Sequence, residues 1–395
     1  MSSLILKHFV PPPTPLNLPL LVLMFQFGLV LVLFPLPLIA WGYAIGALVG
    51  LVVLFVGLKM GESRQGWQTL FLSTVVASTL AVLVLSWSVT SWPSKVPIVV
   101  EWARRYTQWS KGLSPFFRPW QGLIHPNTLG LITAAVLPLH IGNVWQQSRY
   151  VCQRLDIKNI LRGGLAWGAL AIQVFFLLVS QSRGAYLATL IATIVMLFWL
   201  LTLTHLSKGK IVVISLVLGS IIFVGLYRVA LDFSSLMPTS TGSLIFRVRM
   251  WRYALLLVAS FPYTGIGFRA LRWRVFALFP PQVHPIFTSS SVHFNAHNMY
   301  LQTALDLGLP GLIAFLALVV VVFWMWSQVW KARQRISSSW HLSPVALLAL
   351  LGSLVGQLVF GMFESNGMGD FTVGWVVIAL ITALFYRFVC RGEYS

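Results

Sequence analysis

Long apolar runs separated by short polar segments dominate this chain. About ten of them reach roughly the 20 residues that a helix needs to cross a bilayer: near 17–35, 38–58, 68–90, 123–142, 163–181, 185–204, 211–230, 309–328, 344–362 and 371–389. The pattern predicts an all-α, polytopic integral membrane protein, a single transmembrane domain over residues 1–395 with about 10 transmembrane helices. One long segment, about 229–308, separates the seventh run from the eighth, and short helices are expected in it. The first run is long, follows PPPTP and leads straight into the second, which is not the pattern of a cleaved signal peptide.

Composition sharpens this picture. Of 395 residues, 58% are hydrophobic and 9% charged, with only eight acidic side chains, a balance that excludes a water-soluble domain. The two cysteines, Cys152 and Cys390, imply no disulfide framework.

Charge sets the orientation, because lysines and arginines in short loops resist crossing the membrane. With both termini inside, the short basic loops around Lys59 and Arg64, Arg149 to Arg162, Lys208 and Lys210, Lys331 to Arg335, and Arg387 and Arg391 all fall on one face. The segment 229–308 exceeds the ~60 residues within which charges count, so its arginines do not disturb the assignment. The outer face is then rich in arginine and poor in carboxylates, with only Glu101, Asp232, Asp306, Glu364 and Asp370 available to it.

A surplus of guanidinium groups outside points to an anionic partner, since the planar fork of arginine grips phosphate or carboxylate through paired hydrogen bonds. Lipid headgroups account for some of these side chains, Arg272 and Arg274 among them. The outer segment EWARRYTQWSKGLSPFFRPW reads as an interfacial helix, with Trp102, Tyr106 and Trp109 as its aromatic anchors.

Arg183 is more specific. It stands in VSQSRGAYLATL, at a tight outer turn between two apolar runs. There Ser182 is placed to cap the following helix, Gly184 permits close approach, and the helix N-terminus favours an anion. In FRVRMWRYALLLVASFPYTGIG, a helical reading gives one apolar stripe of Leu244, Val248, Trp251, Leu255 and Val258. Arg247 and Arg252 flank that stripe and are the candidates to reach inward, whereas Arg249 points away. Pro262, Gly265 and Gly267 then end the helix. Finally, SVHFNAHNMYLQTALDLG, Ser291 to Gly308, brings two histidines and two asparagines to the membrane edge. Such a cluster is costly to bury without partners and is expected to line a wet cavity. A helix is expected to start near Ala296, with His297 as base or cap; His284 and His293 read as loop residues.

Four motifs in order carry a resemblance: HPN (His125 to Asn127) opening one helix, SRGAYL (Ser182 to Leu187) opening another, Arg247 four residues before Trp251 and followed by PxxGIG, and HNxYL from His297 to Leu301. Over roughly residues 120–330 the chain resembles the O-antigen ligase and O-antigen polymerase superfamily. The resemblance implies a metal-independent glycosyltransferase without a cofactor. It would take a glycan from a polyprenyl (undecaprenyl) diphosphate carrier and join it to a hydroxyl of a glycan, lipid or protein, at the outer face of a bacterial plasma membrane. Much of its active site would lie on the segment 229–308, and no nucleic acid would be involved.

Carried over by position, Arg183 and Arg247 would hold the diphosphate and His297 would serve the acceptor. Arg249, Arg252, Asn298, His125, Asn127 and Ser182 would contribute to donor binding. The chemistry agrees with these residue types. A leaving diphosphate gains negative charge that preorganised cations stabilise, and histidine titrates in the range that suits a general base near neutral pH. The sequence contains no HExxH, CxxC or GxSxG pattern, and with no carboxylate nucleophile in view a single inverting displacement is expected. Two alternatives stand beside this reading: a polymerase that extends repeat units, and a permease for a small anion such as bicarbonate, which should place broken helices at mid-membrane, often in paired repeats.

Overall fold

The computed structural model describes residues 14–34, 38–86, 126–180, 182–203, 240–279, 295–363 and 371–391, with Gly209 and Val217 besides. Every regular element among them is a helix. In chain order these are α1 (Asn17–Leu33), α2 (Leu38–Met60), α3 (Arg64–Ser86), α4 (Pro126–Gln153), α5 (Ile157–Ser180), α6 (Arg183–Leu201), α7 (Ser240–Ser260), α8 (Leu271–Leu278), α9 (Met299–Lys331), α10 (Arg333–Trp340), α11 (Pro344–Gly361) and α12 (Thr372–Phe385), the last running into a π turn at Tyr386–Cys390. Seven described helices are long and apolar enough to cross a membrane; Asn17–Leu33 is apolar but shorter, and α2 is apolar along its Leu48–Met60 part. The protein is therefore all-helical and polytopic. Nine of the ten apolar runs coincide with described helices; the run near 211–230, Val217 apart, and the aromatic segment 101–120 lie outside the described residues.

One boundary agrees with the sequence reading and one differs. α9 begins at Met299, close to the start expected near Ala296 and ahead of the apolar run at 309, because Asn298 caps it by accepting from the Leu301 N–H at 3.0 Å. The segment 229–308 also holds a full helix of 21 residues, α7, where only short ones were expected.

By packing the chain divides into two compact units, Met1–Trp67 with Thr241–Ala332 and Gly361–Ser395, and Gln68–Ser240 with Arg333–Phe360. In the first, α9 packs along α1 and α12, and α12 packs along α2. A buried aromatic file, Phe315 to Phe371 to Trp375, runs edge to face with centroids 5.5 and 5.7 Å apart, the geometry that aromatic quadrupoles favour. Gly50 of α2 lies so close to the Trp375 indole that a Cβ would fall 2.4 Å from its ring.

In the second unit α4 packs against α5 and α6, and small residues carry its contact with α11. Lipid tails are as apolar as leucine, so helices in a bilayer associate through close packing and polar contacts rather than through apolar burial alone. A Cβ on Gly142 would lie 2.6 Å from the Ala349 Cβ, and one on Gly356 would lie 2.8 Å from the Ala134 carbonyl oxygen. Pro138 inside α4 cannot donate to that carbonyl. The Ser353 hydroxyl of α11 donates to the neighbouring Ala135 carbonyl, the kind of partner that makes proline tolerable in a membrane helix. Because the obstacle at Gly356 is backbone, Gly356→Val is expected to cost about 1–3 kcal/mol by overpacking. Thermal unfolding in detergent should show it as an earlier transition than wild type.

Several hydrogen bonds join segments that the charge reading puts on the same face. Arg387 Nη1 donates to the Glu62 carbonyl at 2.6 Å. In the other unit Gln146 donates to the His341 carbonyl and accepts from the Ser343 N–H, each at 3.0 Å. All of these groups belong to segments assigned to the inner face. Arg247 and Asn298 reach carbonyls at 362–363, and all three segments are assigned to the outer face. Cys152 and Cys390 are both free thiols.

Candidate functional site

The site residues of the first unit are set by α7, the turn at 295–298 and a break in α9. α7 buries Met250, Ala254, Leu257 and Val258 against Ile266, Leu271, Val275, Ala296, Ala304 and Leu305. This face lies about a quarter turn around the helix from the stripe read in the sequence. Val248 and Leu255, members of that stripe, are 55% and 59% exposed. In a chain surrounded by lipid, an apolar side chain is as well placed facing outward as facing protein, so apolarity alone misassigned the face. The shift decides among the arginines. Arg247 shares the buried face, one turn before Met250, and is half-buried; Arg252 and Arg249 are both exposed. Arg252, expected as a possible inward side chain, is corrected to an outward one, on the side of α7 opposite Met250 and Ala254.

Arg247 Nη1 donates to the Phe363 carbonyl at 2.6 Å, and Asn298 Nδ2 donates to the Met362 carbonyl at 3.2 Å. The guanidinium of one motif and the HN pair of another thus meet the same turn, just past the end of α11. Asn298, not His297, caps α9, which leaves the imidazole without that duty. His297 itself has φ of 45°, a left-handed conformation that costs a non-glycine residue on the order of 1–3 kcal/mol and persists only where its surroundings fix it. Such outliers gather at functional sites.

Below this turn α9 is interrupted at Gly308, with φ 71° and ψ −179°. The FPYTGIG segment ends α7, as its proline and glycines require, and docks into the interruption. Ile266 N–H takes the Leu305 carbonyl at 2.7 Å, and the Leu309 N–H turns to the Pro262 carbonyl at 2.7 Å. The break therefore leaves these α9 groups paired, as hydrogen-bond satisfaction near a membrane demands. Glycine is required on both sides of the joint. A Cβ on Gly265 would lie 2.4 Å from the Leu305 oxygen, and one on Gly308 would lie 2.6 Å from the Tyr263 oxygen.

One turn closer to the cap, buried Gln302 donates to Asp306 Oδ1 at 2.7 Å, and the Arg269 N–H donates to the same oxygen at 3.1 Å. Asp306 is thereby tied into the scaffold. The Arg274 guanidinium lies 5.3 and 5.7 Å from the centroids of Phe34 and Phe261, a cation–π placement more specific than the headgroup contact read in the sequence.

The second unit holds the other motif residues. Ser182 caps α6 as expected, accepting from the Ala185 N–H at 3.4 Å, while Arg183 is exposed at the first position of the helix. Tyr186, from the same SRGAYL run, closes the turn by donating to the Leu178 carbonyl at 2.8 Å. Asn127 stands half-buried in the first turn of α4. Gly130, one turn on, faces this corner: a Cβ there would lie 2.7 Å from the Ser182 Cβ. HPN and SRGAYL therefore converge through a glycine that the motif reading passed over. His125, His284 and His293 lie outside the described residues.

Sequence reasoning also passed over Gln302 and the indole N–H of Trp251, and took Asn295 only as one member of the polar cluster. Gln302 had a signal: Asn298, Gln302 and Asp306 recur every fourth residue and so share one face of the helix expected to start near Ala296. Among the described residues, no three His, Cys, Asp or Glu side chains gather as metal ligands would.

A search of curated proteins gave no match. Residues 168–316, which run from α5 through Arg183, Arg247 and the His297 turn into α9, match the family described as O-Antigen ligase.

Proposed function

We propose that this protein transfers a glycan from a polyprenyl diphosphate carrier to an acceptor hydroxyl at the outer face of a bacterial plasma membrane. The family match supports ligase- or polymerase-type activity in general. The observation that carries the finer reading is the turn at 295–298, where a strained histidine stands beside the cap that shares the 362–363 turn with Arg247.

In the proposed step the acceptor oxygen forms a bond to the anomeric carbon while the bond from that carbon to the diphosphate oxygen breaks. The electron pair leaves with the polyprenyl diphosphate, and the acceptor proton passes to His297. Arg183 and Arg247 are assigned to the charge that grows on the leaving diphosphate. The displacement is single and inverting, and it proceeds without a metal ion. Asn298 orients the turn. Ser182 and Asn127 belong to the corner that presents Arg183, and Arg249 and Arg252 are left with contacts to the outer part of the substrate or to headgroups.

A polymerase reading of the same site is its nearest alternative. For the permease reading, the broken helix is the relevant observation, and the break at Gly308 stands at the start of the apolar stretch 309–328 rather than in its middle.

Labelling with a membrane-impermeant maleimide tests the sidedness on which this reading depends. The native Cys152 and Cys390, both exposed thiols, should stay unlabelled from outside. Cysteines replacing the exposed Tyr263 and Met362 should react, and one replacing the exposed Leu155 should react only after permeabilisation. The reverse pattern would place the His297 turn on the wrong face for a lipid-linked donor displayed outside.

A further inference from the structure

Three backbone polar groups flank His297, and side chains hold all three. The Ala296 N–H donates to Gln302 Oε1 at 2.8 Å. The Ala296 carbonyl accepts from Trp251 Nε1 at 2.7 Å. The His297 N–H donates to Asn295 Oδ1 at 3.0 Å. These distances are all in the range of good hydrogen bonds.

The clamp draws on separate elements. Gln302, fully buried, comes from the first turn of α9, and its other end is fixed by donating to Asp306 Oδ1 at 2.7 Å. An amide engaged at both ends has one orientation. Trp251 comes from α7, one turn after Arg247, so the indole N–H links the helix that carries the guanidinium to the turn that carries the imidazole. Asp306 is held in turn by the Arg269 N–H at 3.1 Å, which extends the clamp to the FPYTGIG turn. His297, with its left-handed φ of 45°, needs such a support to keep one conformation.

We infer that Trp251 and Gln302 are positioning residues for His297: they hold the carbonyl and the N–H of Ala296, respectively, and so present the imidazole in a single orientation. The inference rests on the reading of His297 as the base, and it assigns Asp306 to the scaffold rather than to proton transfer.

Two substitutions test it. Trp251→Phe keeps an aromatic ring, smaller than the indole, and removes the donor; Gln302→Met keeps the side-chain size and removes both hydrogen bonds. Each purified variant is assayed in detergent with the lipid-linked glycan that accumulates in cells lacking this protein. The expected result is a fall in kcat of about 10–100-fold, the loss that follows from unpairing one buried group, with KM for the lipid-linked glycan within about twofold of wild type. The double variant His297→Ala with Gln302→Met should turn over no more slowly than His297→Ala alone, because a residue that acts through another adds nothing once that other is gone.

An inactive His297→Ala beside an unimpaired Gln302→Met and Trp251→Phe would overturn this inference and leave the base assignment standing. So would a double variant that loses activity by the product of the two single losses. Wild-type turnover by His297→Ala would overturn both together. If Gln302→Met does not accumulate as folded protein, Trp251→Phe decides alone, since it removes one donor and leaves an aromatic ring in place.

Discussion

His297→Ala is expected to slow glycan transfer by about 10²–10⁴-fold, the usual consequence of removing a general base. Donor binding should survive, because the diphosphate is assigned to arginines elsewhere. The helix-capping task falls to Asn298, so the alanine variant should keep the cap of α9, while the left-handed φ at 297 suits alanine less well than histidine, which makes the melting temperature of the variant part of the test. His293→Ala should transfer at nearly the wild-type rate. If instead His297→Ala turns over normally with unchanged protein level, the imidazole has no part in the mechanism, and Glu364 becomes the base to test.

The second large effect is expected at the arginines. Lysine keeps the positive charge and loses the planar fork, so Arg183→Lys and Arg247→Lys should each lower transfer on the order of 10²-fold, as the loss of one aimed donor at a developing anion does. Arg249→Lys and Arg252→Lys should be mild, since both side chains are exposed on α7. Arg247 has a structural task as well, donating to the Phe363 carbonyl at 2.6 Å. Melting temperatures separate the two roles. A lysine variant that melts early and transfers normally would make Arg247 a cap for the end of α11; one that melts normally and transfers poorly places its guanidinium on the substrate.

The fold class and most helices were legible in the sequence because an apolar run of bilayer length has few other uses. The caps at Ser182 and the termination of α7 at FPYTGIG were legible too, since each depends on chemistry local to a few residues. What escaped was decided by partners distant in sequence. The inward face of α7 could not be told from its lipid face by apolarity, and the error moved Arg252 inward on paper. The start of α9 was expected within a few residues of where it lies, but its cap at Asn298 and the face shared by Asn298, Gln302 and Asp306 were not. Gly130 and Gly308 looked unremarkable until Ser182 and the FPYTGIG turn were packed against them. Motifs singled out the candidate residues, whereas the clamp around His297 required the contacts themselves.

Transfer by the purified protein is the measurement that bears most directly on the central claim. Wild-type protein in liposomes would be given the lipid-linked glycan that accumulates in its absence, together with an envelope extract as acceptor, with and without EDTA. Glycan should pass to the acceptor while polyprenyl diphosphate is released in equal amount, at the same rate in both samples. Failure to release the carrier diphosphate under conditions where the protein remains folded, or flux of a small anion across the same liposomes in its place, would contradict it.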